Sequence, residues 1–104
     1  MLEKHELKPL SDAVRDSRKN VNFATVKRLD VRLRVVVDGA ANLHTHADRD
    51  EHFCCLDGVT HLDTANGATT TLQSHELVVV PRNTLHRLSV EGRAVVLVIE
   101  AIKG

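Results

Sequence analysis

The sequence predicts an all-β domain built as an antiparallel sandwich or barrel, and three observations support this. Valine is the commonest residue, with 15 copies, and β-branched side chains fit a pleated sheet better than a helix. Short β-like runs recur from residue 22 onward. Turn signals separate these runs at short intervals, as is typical of antiparallel sheets. The whole chain has 104 residues, which fits one domain.

The predicted strands follow one another in order. In residues 31–37, four apolar residues alternate with Arg32 and Arg34, the period of a half-buried strand. Asp38-Gly39 ends that run. Further strands are predicted at residues 51–56, 59–63, 69–72, 77–80, 87–90 and 94–101. The sequence also predicts two-residue hairpin turns at Asp57-Gly58 and Asn66-Gly67, and a join between the last two strands at Glu91-Gly92.

Residues 1–20 form a polar arm ahead of the predicted domain at residues 21–104. Ser11 either caps a short helical turn through residues 12–17 or lies in a loosely ordered arm, and the sequence leaves both possibilities open. The N-terminus contains no apolar stretch resembling a secretory signal, and the longest apolar run, at residues 94–99, is too short to span a bilayer. These features predict a cytoplasmic protein.

Charge and cysteine content narrow the classes of function further. Lys and Arg together number 14, as do Asp and Glu, so the net charge of zero gives no electrostatic case for binding nucleic acid or an anionic membrane. Cys54 and Cys55 are adjacent, and neighbouring side chains of a strand point to opposite faces. No disulfide is therefore predicted, and both cysteines are interpreted as small apolar residues rather than redox or metal-binding groups.

Histidines and one glutamate form the pattern that carries chemistry. His44 and His46 lie two apart, which on a strand places both imidazoles on one face. Glu51 opens the next strand and can turn toward the same point, and His86 follows a predicted turn at residues 81–85. Three neutral imidazoles and one carboxylate suit Fe, Mn, Ni, Co, Cu or Zn rather than Ca²⁺.

These residues also carry a family resemblance. The stretch GAANLHTHADRDEHFCCLDG, residues 39–58, resembles the first cupin motif, G-x5-H-x-H-x3/4-E-x6-G. The stretch HELVVVPRNTLH, residues 75–86, resembles the second, G-x5-P-x-G-x2-H-x3-N. Four positions depart from the motifs: Gly39 stands one residue too close to His44, and His75, Asn83 and Val90 replace two glycines and an asparagine. Asn tolerates a left-handed backbone, so we expect the turn at Asn83 to survive.

The resemblance implies a small single-domain cupin, a jelly-roll-like β-barrel or double-stranded β-helix. It implies one divalent transition metal held by His44, His46, Glu51 and His86, with two coordination positions left for water or substrate. A satisfied polar cluster without metal is the alternative. Cupins commonly pair through sheet edges and N-terminal strands, which implies a homodimer with residues 20–28 as the contact.

Other residues carry weaker predictions. By strand parity with the ligands, Asn42, Phe53 and Leu88 are candidates to line the cavity, with ordinary barrel filling as the alternative. The remaining histidines are interpreted as surface or packing residues: His5, His52, His61 and His75.

The cupin fold hosts many chemistries, so the fold does not decide the function. The favoured hypothesis is a metal-dependent enzyme acting on a small organic molecule, either a dioxygenase or a metal-assisted isomerase or lyase. The alternative is a non-catalytic module that binds a sugar or another small molecule, or acts as a sensor. Metal-free sugar epimerases of this family use a His with a Tyr, and this chain has no Tyr.

Overall fold

The computed structural model describes residues 6–13, 19–26, 29–40 and 42–101. Seven strands pair antiparallel in one sheet that curls into a nearly closed β-barrel, which confirms the predicted fold class. The elements are α1 (Leu7–Ala13), β1 (Lys19–Val26), β2 (Leu29–Ala40), β3 (Glu51–Asp57), β4 (Thr60–Thr64), β5 (Thr69–Leu72), β6 (Glu76–Val80) and β7 (His86–Ala101).

The longest strand, β7, connects most of the sheet. One of its edges pairs with β2 from Leu29 opposite Ala101 to Ala40 opposite Ser89. Its other edge pairs first with β4 and then with β3. The sheet continues outward from β3 to β6 and from β4 to β5, while β1 pairs with β2.

Two predicted turns are wrong, and β7 is the reason for both. No turn divides residues 86–101 at Glu91-Gly92, because the strand runs on through Gly92 in a left-handed conformation with φ of 77°. Asp57-Gly58 does not close a hairpin either: β3 and β4 pair with β7 in succession, and the described pairings include none between them. The predicted hairpin at Asn66-Gly67 is confirmed, since β4 and β5 pair across it.

Three chain irregularities meet where the sheet bends. The first strand was predicted to end at Asp38-Gly39, but β2 continues to Ala40 with a register shift after Val37. Asp38 takes a positive φ of 35°, and its Oδ1 accepts the Gly92 N–H at 2.6 Å. Both strands therefore bulge at the same level. Bulges bend a sheet, and this bend helps to curl it into the nearly closed barrel.

The apolar core has two parts on opposite faces of the sheet. The inner cluster fills the barrel; its buried members are Val36, Phe53, Cys55, Leu62, Leu72, Val80, Leu88, Val90, Ala94, Val96 and Val98. A smaller outer cluster holds Leu33, Val35 and Val95, with Leu56 and Leu97 against it. β2 contributes Val36 to the inner cluster and Leu33 and Val35 to the outer one, so its apolar residues pack on both faces. The predicted alternation holds from residue 32 to residue 35, where Leu33 and Val35 are buried and the two arginines are partly buried.

The two arginines of β2 lie on the inner face. Arg32 is opposite Val98 and Arg34 is opposite Val96, and directly paired residues share a face of the sheet. Both valines belong to the inner cluster. The predicted alternation therefore correctly placed Arg32 and Arg34 on one face of β2. Leu33 and Val35, on the other face, pack in the outer cluster.

Part of the N-terminal arm is the helix α1. Ser11 lies inside this helix and donates its hydroxyl to the Lys8 carbonyl at 2.9 Å, so it does not cap a turn that begins after it. The carbonyl of Ser11 accepts a hydrogen bond from Arg93 Nη2 at 2.6 Å, which ties α1 to β7. Residues 14–17 of the predicted turn lie outside the described residues, and the division at residue 20 stays a prediction.

Two further expectations concern the cysteines and membranes. Cys54 and Cys55 are both free thiols; Cys55 is buried in the barrel, while Cys54 on the other face is partly exposed. Their positions on opposite faces of β3 are as predicted. Within the described ranges, the one helix is too short to cross a bilayer.

Candidate metal centre

Backbone pairing places one histidine of the first motif beside the histidine of the second motif. His44 and His86 exchange both backbone hydrogen bonds, each at 2.9 Å, in a bridge that extends β7 toward the loop before β3. Their ring centroids are 4.4 Å apart. His46 lies two residues further along the same loop, and Glu51 begins β3. Residues more than 30 positions apart in sequence are thereby placed at one end of the barrel.

The turn before β7 holds the two motif loops together. The Thr84 N–H donates to the Pro81 carbonyl at 3.3 Å, and Asn83 has a left-handed φ of 65°, so the expected survival of this turn is confirmed. The Asn83 N–H donates to the His46 carbonyl at 2.7 Å. The side chain of Asp50 accepts the backbone N–H of Arg82 at 2.8 Å. Each loop thus fixes the backbone of the other next to a candidate ligand.

The four candidate ligands converge at this end of the barrel. One ligand atom from each of His44, His46, Glu51 and His86 lies within 4.8 Å of the others. Oε1 of Glu51 is 2.8 Å from His86 Nε2, 3.1 Å from His46 Nε2 and 3.9 Å from His44 Nε2. Metal bonds of 2.0–2.2 Å place neighbouring ligand atoms about 3 Å apart. The spacing of the cluster therefore suits one transition metal ion.

The hydrogen bonds of the rings direct their lone pairs toward one point. His86 Nδ1 lies 2.7 Å from the Thr84 carbonyl, and His44 Nδ1 lies 3.1 Å from the Asn42 carbonyl. A carbonyl only accepts, so both Nδ1 atoms carry the proton, and a neutral ring then has its lone pair on Nε2. This second hydrogen bond is the arrangement that orients a metal-ligating histidine.

His86 Nε2 and the Glu51 carboxylate are two acceptors in contact, so a proton or a cation must lie between them. The Nε2 lone pair of His86 is 2.8 Å from a carboxylate oxygen of Glu51, and both residues are buried. Two buried acceptors in direct contact repel each other unless a proton or a cation lies between them. A divalent ion satisfies all four groups at once, so the residues present fit a metal.

Burial favours the ligating form of His46. Desolvation lowers the pKa of His46 more than the nearby Glu51 carboxylate raises it, and the positive charge of Arg49 adds to the lowering. The ring is therefore neutral at pH 7, the form that binds a metal. His44, with 41 % of its side chain exposed, faces the solvent side of the cluster, whereas Glu51 and His86 are its buried side.

The structure also places the weaker candidates. Phe53 and Leu88 are both buried in the inner cluster, and the Phe53 ring lies 6.0 Å from that of His86. Asn42 is exposed and contacts the site through its backbone carbonyl. These positions agree with barrel filling for Phe53 and Leu88, and their role in lining a ligand cavity stays a prediction.

The other histidines lie away from the cluster. His52 follows Glu51 on β3 and is only partly buried, on the other face of the strand. His61 Nδ1 lies 2.9 Å from the Thr71 hydroxyl, and His75 is an exposed turn residue with φ of 73°. His5 falls outside the described residues. The described positions agree with a surface or packing role.

Sequence reasoning missed Glu100 and its partners. Glu100 is buried, lies directly across from Glu51 in the sheet, and binds two arginines. Arg49 Nε donates to Glu100 Oε2 at 2.9 Å, and Arg32 Nη2 forms an ion pair with Oε1. No sequence signal connects residues 32, 49 and 100, because only the strand register brings them together.

Comparison with known proteins agrees with this geometry. The family model described as "Cupin domain" matches residues 31–100 of the chain. The chain belongs to the cupin family. The match spans both motifs and every strand from β3 to β7, so it covers the whole candidate metal centre.

One curated protein and two solved structures are similar to this cupin over nearly its whole length. It is 29% identical over 100 residues to the Bacillus subtilis protein named "Uncharacterized protein YdbB", covering 96% of this chain and 88% of that protein. A cupin-2 domain containing protein from Shewanella frigidimarina has a TM-score of 0.87 at 22% identity, covering 93% of both chains. Protein NMB1881 from Neisseria meningitidis has a TM-score of 0.84 at 24% identity, covering 95% of this chain and 99% of that one. The two structures show a shared fold.

Proposed function

We propose that this cupin binds one divalent transition metal through His44, His46, Glu51 and His86 and uses it as an enzyme on a small organic molecule. The observation that carries the proposal is the convergence of three imidazole Nε2 atoms on one buried carboxylate oxygen. Fe, Mn, Ni, Co, Cu and Zn all accept this donor set. Dioxygenase chemistry, or a metal-assisted isomerase or lyase reaction, is the proposed class.

The protein's own groups have defined tasks in this proposal. The carbonyls of Asn42 and Thr84 hold the rings of His44 and His86 in the ligating tautomer. The buried side of the cluster, with Phe53 close to His86, keeps water from the inner half of the site. A bound metal of this type supplies Lewis acidity and open positions for a substrate oxygen or dioxygen. Four protein ligands leave two positions of an octahedral ion for that purpose.

A non-catalytic binding module is the second candidate. The same open metal would then hold a small molecule or sugar without transforming it, as in a sensor. The inner cluster supports this candidate, because its buried members are apolar side chains, Phe53 and Leu88 among them, which can contact a bound molecule without taking part in a reaction. We favour the enzyme because the half-exposed His44 leaves one side of the cluster accessible to a reactant.

Turnover measurements on metal-loaded protein distinguish these candidates. The protein, loaded separately with Fe(II), Mn(II), Ni(II) and Zn(II), is incubated with a panel of small polar molecules while oxygen uptake and product formation are followed. Oxygen consumption that is lost in His44→Ala supports a dioxygenase, and product without oxygen uptake supports an isomerase or lyase. Ligand binding without any product contradicts the enzyme and leaves the binding module.

A homodimer and a cytoplasmic location are further parts of the proposal. Residues 20–26 of the proposed contact lie in β1, which is at the end of the strand order and pairs with β2 on one side. A strand in that position presents backbone groups that a second copy can pair with. Residues 27–28 lie outside the described residues.

A further inference from the structure

We propose that the inner face of β2 adds an anion-binding subsite to the metal centre, and that the ligand of this barrel is a short organic acid. Its carboxylate would bind the guanidinium of Arg32, with Arg34 on the same wall, while a second oxygen of the ligand binds the metal. This inference rests on the proposed metal function and names the substrate class for that same site.

Strand register places the arginines inside the barrel that holds the metal ligands. Arg32 on β2, Val98 on β7 and Phe53 on β3 form one row across the sheet. Paired residues share a face, and Phe53 and Val98 are buried in the inner cluster. Arg34 occupies the next row, opposite Val96. The two side chains therefore belong to the inner face of the sheet, where Arg32 is paired with Glu100.

The side chain of Arg32 reaches toward the row that contains a metal ligand. That row consists of Asp30, Glu100 and Glu51. Arg32 Nη2 is paired with Glu100 Oε1, and Glu100 lies directly across from Glu51. Directly paired residues have Cβ atoms about 5 Å apart. A ligand with two oxygen groups separated by a few bonds is therefore long enough to contact both the metal and Arg32.

Arg32 keeps a buried donor that no group of the described residues satisfies. Its Nε is buried without a hydrogen-bond partner, although Nη2 is engaged with Glu100. A buried N–H without an acceptor costs free energy, and such a group in a native structure calls for a ligand, a water or an ion as its partner. A carboxylate can accept from Nε and from a terminal nitrogen of the same guanidinium in a bidentate pair.

Arg49 extends the positive region toward the cluster. It lies three residues after His46 in the same loop. Its Nε also contacts Glu100. Among the described residues, Glu100 is the carboxylate that Arg32 contacts, and Glu100 is shared with Arg49, which also pairs with Asp48. An anion that accepts from Arg32 would therefore complete the pairing of this guanidinium.

The test compares acids with their neutral amides on metal-loaded protein. Protein loaded with Co(II), its metal content measured first, is titrated calorimetrically with succinate and malate and with succinamide and malamide. We expect each acid to bind at least tenfold more tightly than its amide. Equal affinity for acid and amide, or no binding of either acid, would overturn the anion subsite.

Variants test whether Arg32 is the residue that makes the protein prefer acids over amides. In Arg32→Met, which has a similar stem and no charge, the acids should lose at least tenfold in affinity while the metal content stays at one ion per chain. Arg32→Lys keeps the charge without the planar fork and should lie between the two. Arg87→Met is the matched control, because Arg87 is exposed and pairs with Asp63 outside the barrel. Equal losses in Arg87→Met and Arg32→Met would contradict the assignment.

Failure of the two proposals can be told apart. If wild-type protein binds the metal but does not prefer acids, the metal proposal survives and the anion subsite is wrong. If the protein binds no metal, the proposed function is wrong. The same titration on metal-free protein then decides the subsite alone: a preference for acids that is lost in Arg32→Met supports it, and no preference overturns it.

Discussion

Asp63 is a single residue that links three strands through its carboxylate. Oδ1 accepts the Thr69 hydroxyl of β5 at 2.8 Å, and Oδ2 accepts from Arg87 Nε at 3.2 Å and from the Ser89 hydroxyl at 3.1 Å, both on β7. The hydrogen bond from Thr69 is the main cause that lowers the pKa of Asp63, and those from Arg87 and Ser89 add to it. These bonds outweigh partial burial, which acts in the opposite direction.

The lowered pKa makes part of the stability depend on pH. Because the folded pKa lies below the unfolded value of 3.8, the ionised carboxylate stabilises the fold above about pH 4, and this contribution is lost as the pH falls through the folded pKa. Asp63→Asn should therefore reduce the free energy of unfolding by about 1 kcal/mol at pH 7. Urea unfolding at several pH values should show the difference from wild type shrinking below about pH 4.

Asp12→Asn provides the control for that measurement. Asp12 makes an exposed ion pair with Lys8 on α1, at 3.0 Å. Exposed pairs of this kind contribute little, so this variant should differ from wild type by less than about 0.5 kcal/mol. A loss of stability in Asp63→Asn that stays constant from pH 7 to pH 3 would contradict the assignment of the effect to its carboxylate.

Single residues also show which parts of the site are readable from sequence. His44, His46, Glu51 and His86 could be predicted because the chemistry of a ligand is a property of its own side chain and the spacing is local within each motif. The carbonyls of Asn42 and Thr84 could not, since every residue has a carbonyl and only the folded loop directs these two at imidazoles. Glu100 could not either, because its neighbour Glu51 is set by the register of β3 on β7.

At the scale of elements, the bend of the sheet depends on close packing at Gly58. A Cβ atom at this position would lie 2.4 Å from the carbonyl oxygen of Arg93 and 3.0 Å from the Ala94 Cα, both backbone atoms of β7. Gly58 also has φ of 82°, which side chains other than glycine rarely adopt. The crossing from β3 to β4 therefore requires glycine for two independent reasons.

Gly58→Ala should destabilise the barrel by about 2–4 kcal/mol, because it combines left-handed strain with a clash against backbone that cannot move aside. Gly67→Ala is the matched control: its φ is 86°, but nothing lies within 4 Å of the added Cβ. Strain alone should cost it about 1 kcal/mol. Chemical denaturation of the two variants measures both values, and equal losses would show that the contact with Arg93 does not matter.

The elements that sequence reasoning misjudged have a common physical cause. The Asp-Gly pair at residues 57–58 is a strong local turn signal, but the long strand β7 determines that β3 and β4 pair along it in series. The alternation of residues in β2 correctly predicted that Arg32 and Arg34 lie on the same face of the strand. A period of two residues does not say which of the two faces points into the barrel. Because apolar residues pack against both faces of β2, the sequence pattern does not indicate which face points into the barrel.

At the scale of the whole molecule, the described chain leaves β1 at one end of the strand order. We predict a homodimer that forms through this edge, and light scattering at micromolar concentration should give twice the mass of the 104-residue chain. Leu77→Lys, an exposed position on β6 at the other end of the order, should leave the dimer intact. A monomer at that concentration would rule out the dimer, and a monomer only in Leu77→Lys would move the contact to β6.

The metal content of natively purified protein tests the central claim most directly. Elemental analysis should find about one transition metal ion per chain in wild type and almost none in the double variant His44→Ala/His46→Ala. The control His61→Ala/His75→Ala, which removes two histidines away from the cluster, should keep its metal. Stoichiometric metal in the His44→Ala/His46→Ala variant would contradict the account. So would wild-type protein that binds none of Fe, Mn, Co, Ni, Cu or Zn when each is supplied.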